Sequence, residues 1–266
     1  MTIQKLINLK GKVALITGGA GYLGLEAASA LAELGASIVL VDINESSLEL
    51  ASGKLLKNFS VPVMTILTDL EVESEILKIP SKVEQQFSKI DILINNAAFV
   101  GTSGLDGWVT KFDKQTTSTW RRALEINLTA PFTLVQACLS LLHKSNQASI
   151  INIGSIYGML GPDMSLYEGT NMGNPAAYAA SKGGLIQFTR WASTVLSPEI
   201  RVNTITPGGI ARNQPKEFSE RYIARTPLNR MATEEDFIGA IVYLSTGLSS
   251  YVTGQNIVVD GGWSVW

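Results

Sequence analysis

Short apolar runs alternate along the chain with longer segments whose apolar residues recur at helical spacing. The runs are rich in Val and Ile, which is typical of strands that are buried on both faces of a parallel sheet. In the first connecting segment, Ala27, Ala28 and Leu31 repeat at helical spacing until Gly35 ends the helix. The pattern predicts strands at 13–17, 37–41, 63–67, 90–94, 149–153, 201–205 and 256–259.

Three further helical segments separate the later strands. One covers 71–86 with an interruption at Pro80, and a long helix covers roughly 116–143. The third is expected to start with Asn174 as its cap and Pro175 as its first residue. This alternation predicts an α/β fold, a doubly wound parallel sheet of the Rossmann type, three-layer α/β/α, with about seven strands. Because no linker or repeat divides the chain, we expect one domain over residues 1–266.

A glycine-rich turn follows the first strand and opens the first helix. Gly19, Gly21 and Gly24 fit the G-x-G-x-x-G pattern, in which a side chain would keep a pyrophosphate from the amides at the helix start. Asp42 follows the second strand, near the position whose carboxylate binds an adenosine ribose. That carboxylate repels a 2′-phosphate, so the sequence predicts NAD rather than NADP. A plain tight turn and a solvated loop acid are the alternatives.

The pentad Tyr-Ala-Ala-Ser-Lys at 178–182 places a phenol and an ammonium on one helical face. A phenol has an ordinary pKa of about 10, and a neighbouring cation favours its ionised form. Such a pair can move a proton to and from an alcohol oxygen. Taken alone, the spacing fits an ordinary amphipathic surface pair equally well.

Composition narrows the classes of function. The 266 residues, 45% of them hydrophobic, supply one sizeable core. A net charge of −2 gives no basic field for nucleic acid or anionic lipid, and neither a secretory segment nor a membrane-length apolar run is evident. The chain has one cysteine, Cys138, and one histidine, His143, too few for a typical zinc site. We therefore expect a cytoplasmic, metal-independent protein without nucleic-acid or membrane partners.

From about Gly11 to Gly262 the chain resembles the short-chain dehydrogenase/reductase family, in its compact single-domain branch. The resemblance depends on the order and spacing of several motifs, none of which is specific alone. They are Thr17-Gly18, Asn95-Asn96-Ala97-Ala98, Asn127, Ser155, the Tyr178/Lys182 pair, Pro207-Gly208-Gly209-Ile210 and Asp260-Gly261-Gly262.

The resemblance implies four catalytic residues. Tyr178 would be the general acid/base on the substrate oxygen, and Lys182 would lower its pKa and hold the nicotinamide ribose. Ser155 would donate a hydrogen bond to the substrate oxygen. Asn127 would order a water that links Lys182 to solvent. Singly, Ser155 could be a turn former and Asn127 a polar interruption of a helix.

The resemblance also implies a set of cofactor contacts. Asp69 would lie near the adenine, although it could be only a turn acid, and Asn95 with Ala97 would follow the adenosine ribose. Ile210 would meet the nicotinamide carboxamide. The full set is Gly18, Gly21, Tyr22, Leu23, Gly24, Asp42, Asp69, Leu70, Asn95, Ala97, Tyr178, Lys182, Pro207, Gly208 and Ile210.

Two substitutions depart from the family pattern. Tyr22 stands where the compact branch usually has glycine, which leaves the backbone of the turn open. Arg212 replaces a threonine that commonly follows Ile210 by two residues. An arginine there could reach a cofactor phosphate or an anionic substrate group, or it could be solvated.

The segment between Ser155 and Tyr178 is longer than in most relatives, and its glycines and proline predict a loop. We expect the loops 156–174 and 211–230 to line a substrate pocket, the second as a polar lid. An outward insertion without a substrate role is the alternative. The candidate substrate residues are Met159, Glu168, Asn171 and Arg212.

Together these observations predict an NAD-dependent oxidoreductase that interconverts a secondary alcohol and a ketone. Its polar loop favours a sugar-like or polyol substrate, and the chain also resembles short-chain dehydrogenases of bacterial surface-sugar and flagellin-glycan biosynthesis. Alternatives are a 3-oxoacyl-carrier-protein reductase that uses NADPH and a non-catalytic NAD-binding scaffold. The resemblance further implies a homotetramer or a dimer.

Overall fold

The apolar side chains of the first strand alternate between two cores, which explains why helices cover both faces of the sheet. In β1 (Val13–Thr17), Ala14 and Ile16 pack in one cluster, whereas Val13 and Leu15 pack in the other. This period of two is the geometry of a strand, and burial of both sets requires a layer on each side. The structure, a computed structural model, describes residues 2–100 and 103–266.

The described residues form a seven-stranded, all-parallel sheet in the order β3-β2-β1-β4-β5-β6-β7. The predicted doubly wound α/β/α fold is therefore confirmed. After β1, the strands are β2 Ser37–Asp42, β3 Val63–Leu67, β4 Ile92–Asn95, β5 Ala148–Ile153, β6 Ile200–Pro207 and β7 Asn256–Val259.

Ten α-helical segments surround the sheet in the described part of the chain. They are α1 Ile3–Ile7, α2 Tyr22–Glu33, α3 Glu45–Asn58, α4 Glu73–Ile76, α5 Ile79–Glu84, α6 Thr117–Leu124, α7 Ala130–His143, α8 Ala176–Val195, α9 Lys216–Ala224 and α10 Ile238–Ser245. Residues of α2, α3 and α10 form one apolar layer, and residues of α4, α5, α7 and α8 form the other.

The strand order reverses beside β1, which pairs with β2 on one side and with β4 on the other. Chain connections therefore leave in opposite directions at the carboxyl ends of β1 and β4, and a crevice opens between them. The predicted functional segments lie at the carboxyl ends of several strands, so the topology brings them to one edge of the sheet: the glycine turn follows β1, Asp42 ends β2, Asn95 ends β4, Ser155 follows β5 and Pro207 ends β6.

The start of α8 differs from the prediction by one residue. Pro175 has extended backbone angles and acts as the cap, so the helix begins at Ala176 rather than with Asn174 as the cap. The amide of Ala176 donates to Oε1 of Gln115 at 3.1 Å. A side chain far away in sequence thus satisfies the helix start, and Asn174 is left free for another role.

The long predicted helix consists of α6 and α7 joined by a π-helical turn, Glu125–Thr129. By length and composition alone, 117–143 is sufficiently long and apolar to cross a membrane, which the sequence reading did not anticipate. In the structure 56% of its most apolar window is buried inside the protein. Packing of α7 against the sheet through Leu134, Cys138 and Leu141 accounts for that apolar composition.

Candidate active site

A cavity of about 680 Å³ lies at the carboxyl ends of the strands. It extends from the glycine turn to helix α8 and includes parts of both predicted loops. The predicted site residues that line it are Gly18, Gly21, Tyr22, Leu23, Asp42, Asp69, Leu70, Ala97, Ser155, Tyr178, Lys182, Pro207, Gly208, Ile210 and Arg212.

The glycine turn is closed so tightly that side chains cannot enter it. Gly18 has a φ of +59°, and a Cβ on Gly24 would lie 2.2 Å from the carbonyl oxygen of Gly18. Gly24 therefore packs the start of α2 against the turn and does not line the cavity. The side chain of Asn96 donates to the carbonyls of Thr17 and Gly18, each at 3.0 Å, and holds the turn from the side of β4. This glycine cradle at a helix start fits a dinucleotide pyrophosphate.

Asp42 lies at the end of β2, beside the glycine turn. Its Oδ2 accepts a hydrogen bond from the amide of Ala20 at 3.2 Å, and its Oδ1 accepts one from the amide of Asn44 at 3.2 Å. The carboxylate thus stands at the cavity wall in a fixed orientation. This placement fits a group that accepts hydrogen bonds from ribose hydroxyls.

The far end of the cavity carries residues that the sequence analysis did not select. Glu71 forms two hydrogen bonds of 2.8 Å with Arg122, whose guanidinium lies 5.4 Å from the centroid of the Phe99 ring. All three residues line the cavity beside Asp69. Asp69 itself accepts a hydrogen bond from the Glu71 amide at 2.9 Å. They come from three separate chain segments, so no local motif marks them.

Ser155, Tyr178 and Lys182 are brought together by β5 and α8. Ser155 follows β5, and the other two residues lie one helical turn apart on α8. The Lys182 ammonium, 3% exposed, donates to the carbonyl of Ile153 at 2.7 Å. The Ser155 hydroxyl faces the Tyr178 phenol and lowers its pKa. A hydroxyl, a phenol and an ammonium therefore converge on one wall of the cavity.

Burial governs the ionisation of this group. It raises the pKa of Tyr178, although the Ser155 hydroxyl offsets part of the rise. Burial also lowers the pKa of Lys182 to about 8. The ammonium lies 6.0 Å from the centroid of the Tyr178 ring. Desolvation is thus the largest cause of both pKa shifts in this structure.

Two predicted asparagines lie behind the cavity wall rather than on it. Asn127, in the π-helical turn, accepts from the Phe99 amide at 2.8 Å and donates to Ser181 Oγ at 3.1 Å. The Asn95 side chain points into the sheet and donates to Asn152 at 2.8 Å, and Asn152 donates to Thr189 of α8 at 2.8 Å. Both asparagines thus join elements that carry the cavity. Neither side chain is placed along it.

The loop between Ser155 and Tyr178 lines the cavity as expected, but three of the candidate substrate residues in it do not. Glu168 and Asn171 are exposed, and Met159 is 39% exposed with its sulfur beside the Asn256 side chain. All three lie outside the cavity, which corrects their assignment as pocket-lining residues. The loop residues that do line the cavity are Ile156, Tyr157, Tyr167, Met172, Gly173 and Asn174.

Aromatic residues from both predicted loops close this end of the cavity. Tyr167 donates to the Tyr157 hydroxyl at 2.9 Å, and Phe218 packs against Tyr167 with ring centroids 5.3 Å apart. The Asn174 side chain lies beside Tyr167, and its Oδ1 is buried without a hydrogen-bond partner in the described residues. The loops therefore present hydroxyl and amide groups set in an aromatic wall.

Arg212, in the second predicted loop, has a defined position against the glycine turn. Its guanidinium lies 4.0 Å from the centroid of the Tyr22 ring, and its Nη2 forms an ion pair with Glu234 at 2.5 Å. It is therefore not a freely solvated loop arginine.

Within the described residues, no group of three or more His, Cys, Asp or Glu side chains could hold a metal ion.

Residues 19–264 match the family described as enoyl-(acyl carrier protein) reductase. The chain is 31% identical over 265 residues to 3-oxoacyl-(acyl-carrier-protein) reductase FabG of Thermotoga maritima, covering 96% of this chain and 99% of the relative. It is 28% identical over 258 residues to post-translational flagellin modification protein A of Campylobacter coli, covering 97% of this chain and 100% of the relative.

The fold is also similar to a solved structure, that of NAD+-bound xylitol dehydrogenase. The TM-score is 0.85 at 29% sequence identity, and the match covers 96% of this chain and 99% of that chain. The similarity in sequence and in structure thus extends over nearly the whole chain.

Proposed function

The chain belongs to the short-chain dehydrogenase/reductase family and is an NAD(P)-dependent oxidoreductase acting on CH–OH groups; from this premise we propose that it interconverts a secondary alcohol and a ketone on a polar, sugar-like or polyol substrate, with NAD as its cofactor. One observation carries the proposal: the glycine turn and the Ser155, Tyr178 and Lys182 side chains line the same cavity. We further propose that residues 1–266 act as one dinucleotide-binding and catalytic domain.

The proton chemistry follows from the order of the groups along the wall. Tyr178 takes the proton of the substrate hydroxyl during oxidation and returns it during reduction. Ser155 donates a hydrogen bond to the substrate oxygen and stabilises the charge that develops there. Lys182 holds the nicotinamide ribose, while Asn127 fixes the helix wall through Ser181. The nicotinamide, when bound, accepts or supplies the hydride.

The dinucleotide is held, in this proposal, by the residues of the glycine turn and by the strand ends. Tyr22 and Leu23 present backbone amides at the start of α2, and Gly21 borders the cavity beside them. Asp42 accepts from the adenosine ribose, and Asp69 with Leu70 borders the adenine. Pro207, Gly208 and Ile210 border the nicotinamide.

We expect replacement of Asp42 by serine to weaken NAD and to improve NADP. The carboxylate accepts two ribose hydrogen bonds and repels a 2′-phosphate, so its loss should reduce the NAD-over-NADP ratio of kcat/KM by about tenfold or more. Steady-state kinetics with both cofactors measure this ratio. Glu49→Ser removes the same charge from the exposed face of α3 and should leave the ratio unchanged. An unaltered ratio in Asp42→Ser would contradict the assignment.

The polar substrate class is supported by the aromatic end of the cavity. The Tyr167 hydroxyl donates to that of Tyr157, which leaves the Tyr157 proton available for another acceptor. Asn174 adds a buried carbonyl oxygen that can accept from a hydroxyl. These groups lie on the wall that continues from Tyr178, so they can bind hydroxyls carried by the substrate beyond its reacting carbon.

Loss of the Tyr157 hydroxyl should therefore impair turnover of a polyol. We expect Tyr157→Phe to lower kcat/KM by about tenfold, since one hydrogen bond contributes about 0.5–1.5 kcal/mol and Tyr167 also loses its acceptor. Oxidation of polyols, sugar acids and nucleotide sugars with NAD first identifies the substrate. Tyr251→Phe deletes a hydroxyl from a fully exposed residue and is the matched control. Equal kinetics for both variants would argue against this subsite.

A second candidate, reduction of a 3-oxoacyl group on a carrier protein, is favoured by the similarity to the Thermotoga maritima reductase. It predicts NADPH-dependent reduction of an acetoacetyl thioester. Comparing this reaction with NAD-linked polyol oxidation, using one enzyme preparation, separates the two candidates. The carboxylate of Asp42 and the hydroxyl-rich end of the cavity favour the polyol.

We also propose a cytoplasmic homo-oligomer, a tetramer or a dimer. Phe132 of α7 and Trp191 of α8 are 44% and 57% exposed, and both pack against Phe188. Neighbouring exposed aromatic residues on two long helices are typical of a surface that another subunit covers. The aromatic C-terminal residue Trp266, 73% exposed, adds a second such position.

A further inference from the structure

The two substitutions that depart from the family pattern contact each other. Tyr22 stands at the first residue of α2, and Arg212 lies in the loop that crosses toward it from the other half of the sheet. The Arg212 guanidinium lies 4.0 Å from the centroid of the Tyr22 ring. Both residues line the cavity together with Gly18 and Gly21. The Arg212 guanidinium is thus held beside the glycine turn by the ring of Tyr22, the residue with which α2 begins.

Further contacts fix the position of this arginine. Glu234 forms an ion pair with Nη2 at 2.5 Å, and the Arg212 amide donates to Oε1 of Gln214 at 2.5 Å. The Gln214 side chain in turn donates to the carbonyl of Ile210 at 2.7 Å. The guanidinium is therefore held from one edge by an acid and from one face by Tyr22.

The remaining edge of the guanidinium has no acceptor. Nη1 of Arg212 is buried, and no hydrogen-bond partner for it occurs in the described part of the chain. A buried donor without a partner is costly, whereas a hydrogen bond from a charged donor to an anion stabilises strongly. The glycine cradle beside it is suited to a pyrophosphate, which carries acceptor oxygens of the required charge.

We propose that the guanidinium of Arg212 donates to the pyrophosphate of the bound dinucleotide, with Tyr22 as the platform that orients it. Arg212 would thereby close the cradle on the side opposite the α2 amides and join the two halves of the crevice over the cofactor. The inference rests on the proposed use of a dinucleotide and is independent of the substrate. Glu234 is in this arrangement a positioning residue whose negative charge also repels the pyrophosphate.

Ligand binding without turnover tests the proposal. NADH affinity is measured by its fluorescence in the purified protein at low ionic strength, and ADP-ribose or adenosine is then used to displace it. We expect Arg212→Met to weaken NADH and ADP-ribose by about tenfold or more and to leave adenosine unchanged, because adenosine lacks the pyrophosphate. Tyr22→Leu should weaken the same two ligands by a smaller factor.

A matched control lies in the same segment, 211–230, at the end of α9. Arg225 also pairs with an acid, Asp163, and lies 4.9 Å from the centroid of an aromatic ring, Trp263, but it does not line the cavity. Arg225→Met should leave ADP-ribose binding unchanged. This comparison separates loss of a pyrophosphate contact from general loosening of residues 211–230.

Glu234→Gln distinguishes a direct contact from loop ordering. It keeps a side-chain acceptor for Arg212 and removes the negative charge near the pyrophosphate, so ADP-ribose should bind as tightly as in the wild type or a few-fold more tightly. If Arg212 only ordered the loop, Arg212→Met and Glu234→Gln would weaken ADP-ribose and adenosine alike, and the proposal would be overturned. Unchanged ADP-ribose binding in Arg212→Met would also overturn it. If the wild-type protein bound no NADH, the proposed function itself would fail.

Discussion

Replacement of Tyr178 by phenylalanine should lower kcat by about a thousandfold and leave NADH affinity unchanged. A positioned acid/base contributes about 10²–10⁴ to the rate, and phenylalanine retains the ring while removing the atom that carries the proton. Steady-state kinetics and NADH fluorescence titration measure the two effects separately. Tyr243→Phe, on α10 outside the cavity, is the control. Wild-type turnover in Tyr178→Phe would exclude the proposed proton transfer.

The pH dependence of the wild-type enzyme should report the same group. Because burial raises the pKa of Tyr178, its ionised fraction keeps growing as the pH rises through neutrality into the alkaline range. Alcohol oxidation requires the ionised phenol and ketone reduction requires the neutral phenol. The rate of oxidation should therefore rise with pH, whereas the rate of reduction should stay constant until the pH approaches the raised pKa and fall above it. Any residual rate of Tyr178→Phe should lack both trends.

Replacement of Lys182 by methionine should abolish efficient turnover and at the same time stabilise the protein. Burial lowers the pKa of Lys182 from 10.5 to about 8, so at pH 7 the folded protein holds a charge that the unfolded chain solvates better. We expect a gain of about 1–2 kcal/mol in the free energy of unfolding at pH 7. The variant also loses the hydrogen bond from Lys182 to the Ile153 carbonyl, which offsets part of this gain in stability.

The pH dependence of the free energy of unfolding tests whether the Lys182 charge destabilises the folded protein. Below pH 8 both states of the wild type are protonated at Lys182, and the penalty is fully present. Between about 8 and 10.5 the unfolded chain binds more protons than the folded protein, so wild-type stability rises relative to the variant. Urea denaturation at pH 7 and at pH 9.5 measures both differences. Lys57→Met, exposed on α3, should show neither, and a less stable Lys182→Met would contradict the argument.

The sequence could predict the parts of this molecule that depend on local pattern. Every predicted strand occurs in the sheet, because β-branched runs buried on both faces leave a clear signal. The glycine turn and the spacing from Tyr178 to Lys182 are equally local. The start of α8 was missed because its first amide is satisfied by Gln115, which lies far away in sequence.

In the loop between Ser155 and Tyr178, the local sequence pattern does not predict which side chains face the cavity. Its charged and amide side chains at Glu168 and Asn171 face solvent, while Tyr157 and Tyr167 face the cavity. A loop has no period that separates an inner from an outer face, so composition alone favoured the wrong polar residues. Likewise, the contact between Arg212 and Tyr22 joins segments that only the completed fold brings together.

Buried hydrogen bonds connect Asn95 of β4 to Asn152 of β5 and Asn152 to Thr189 of α8, so they tie α8 to the sheet. Apolar packing tolerates small rotations of a helix about its long axis. Buried hydrogen bonds are directional, so the bond from Asn152 to Thr189 allows only one rotation of α8 about its axis. The orientation of the Tyr178 side chain, which α8 carries, is therefore fixed by buried residues that lie away from the mouth of the crevice. Residues around the mouth can therefore change with the substrate while the position of the Tyr178 side chain is kept.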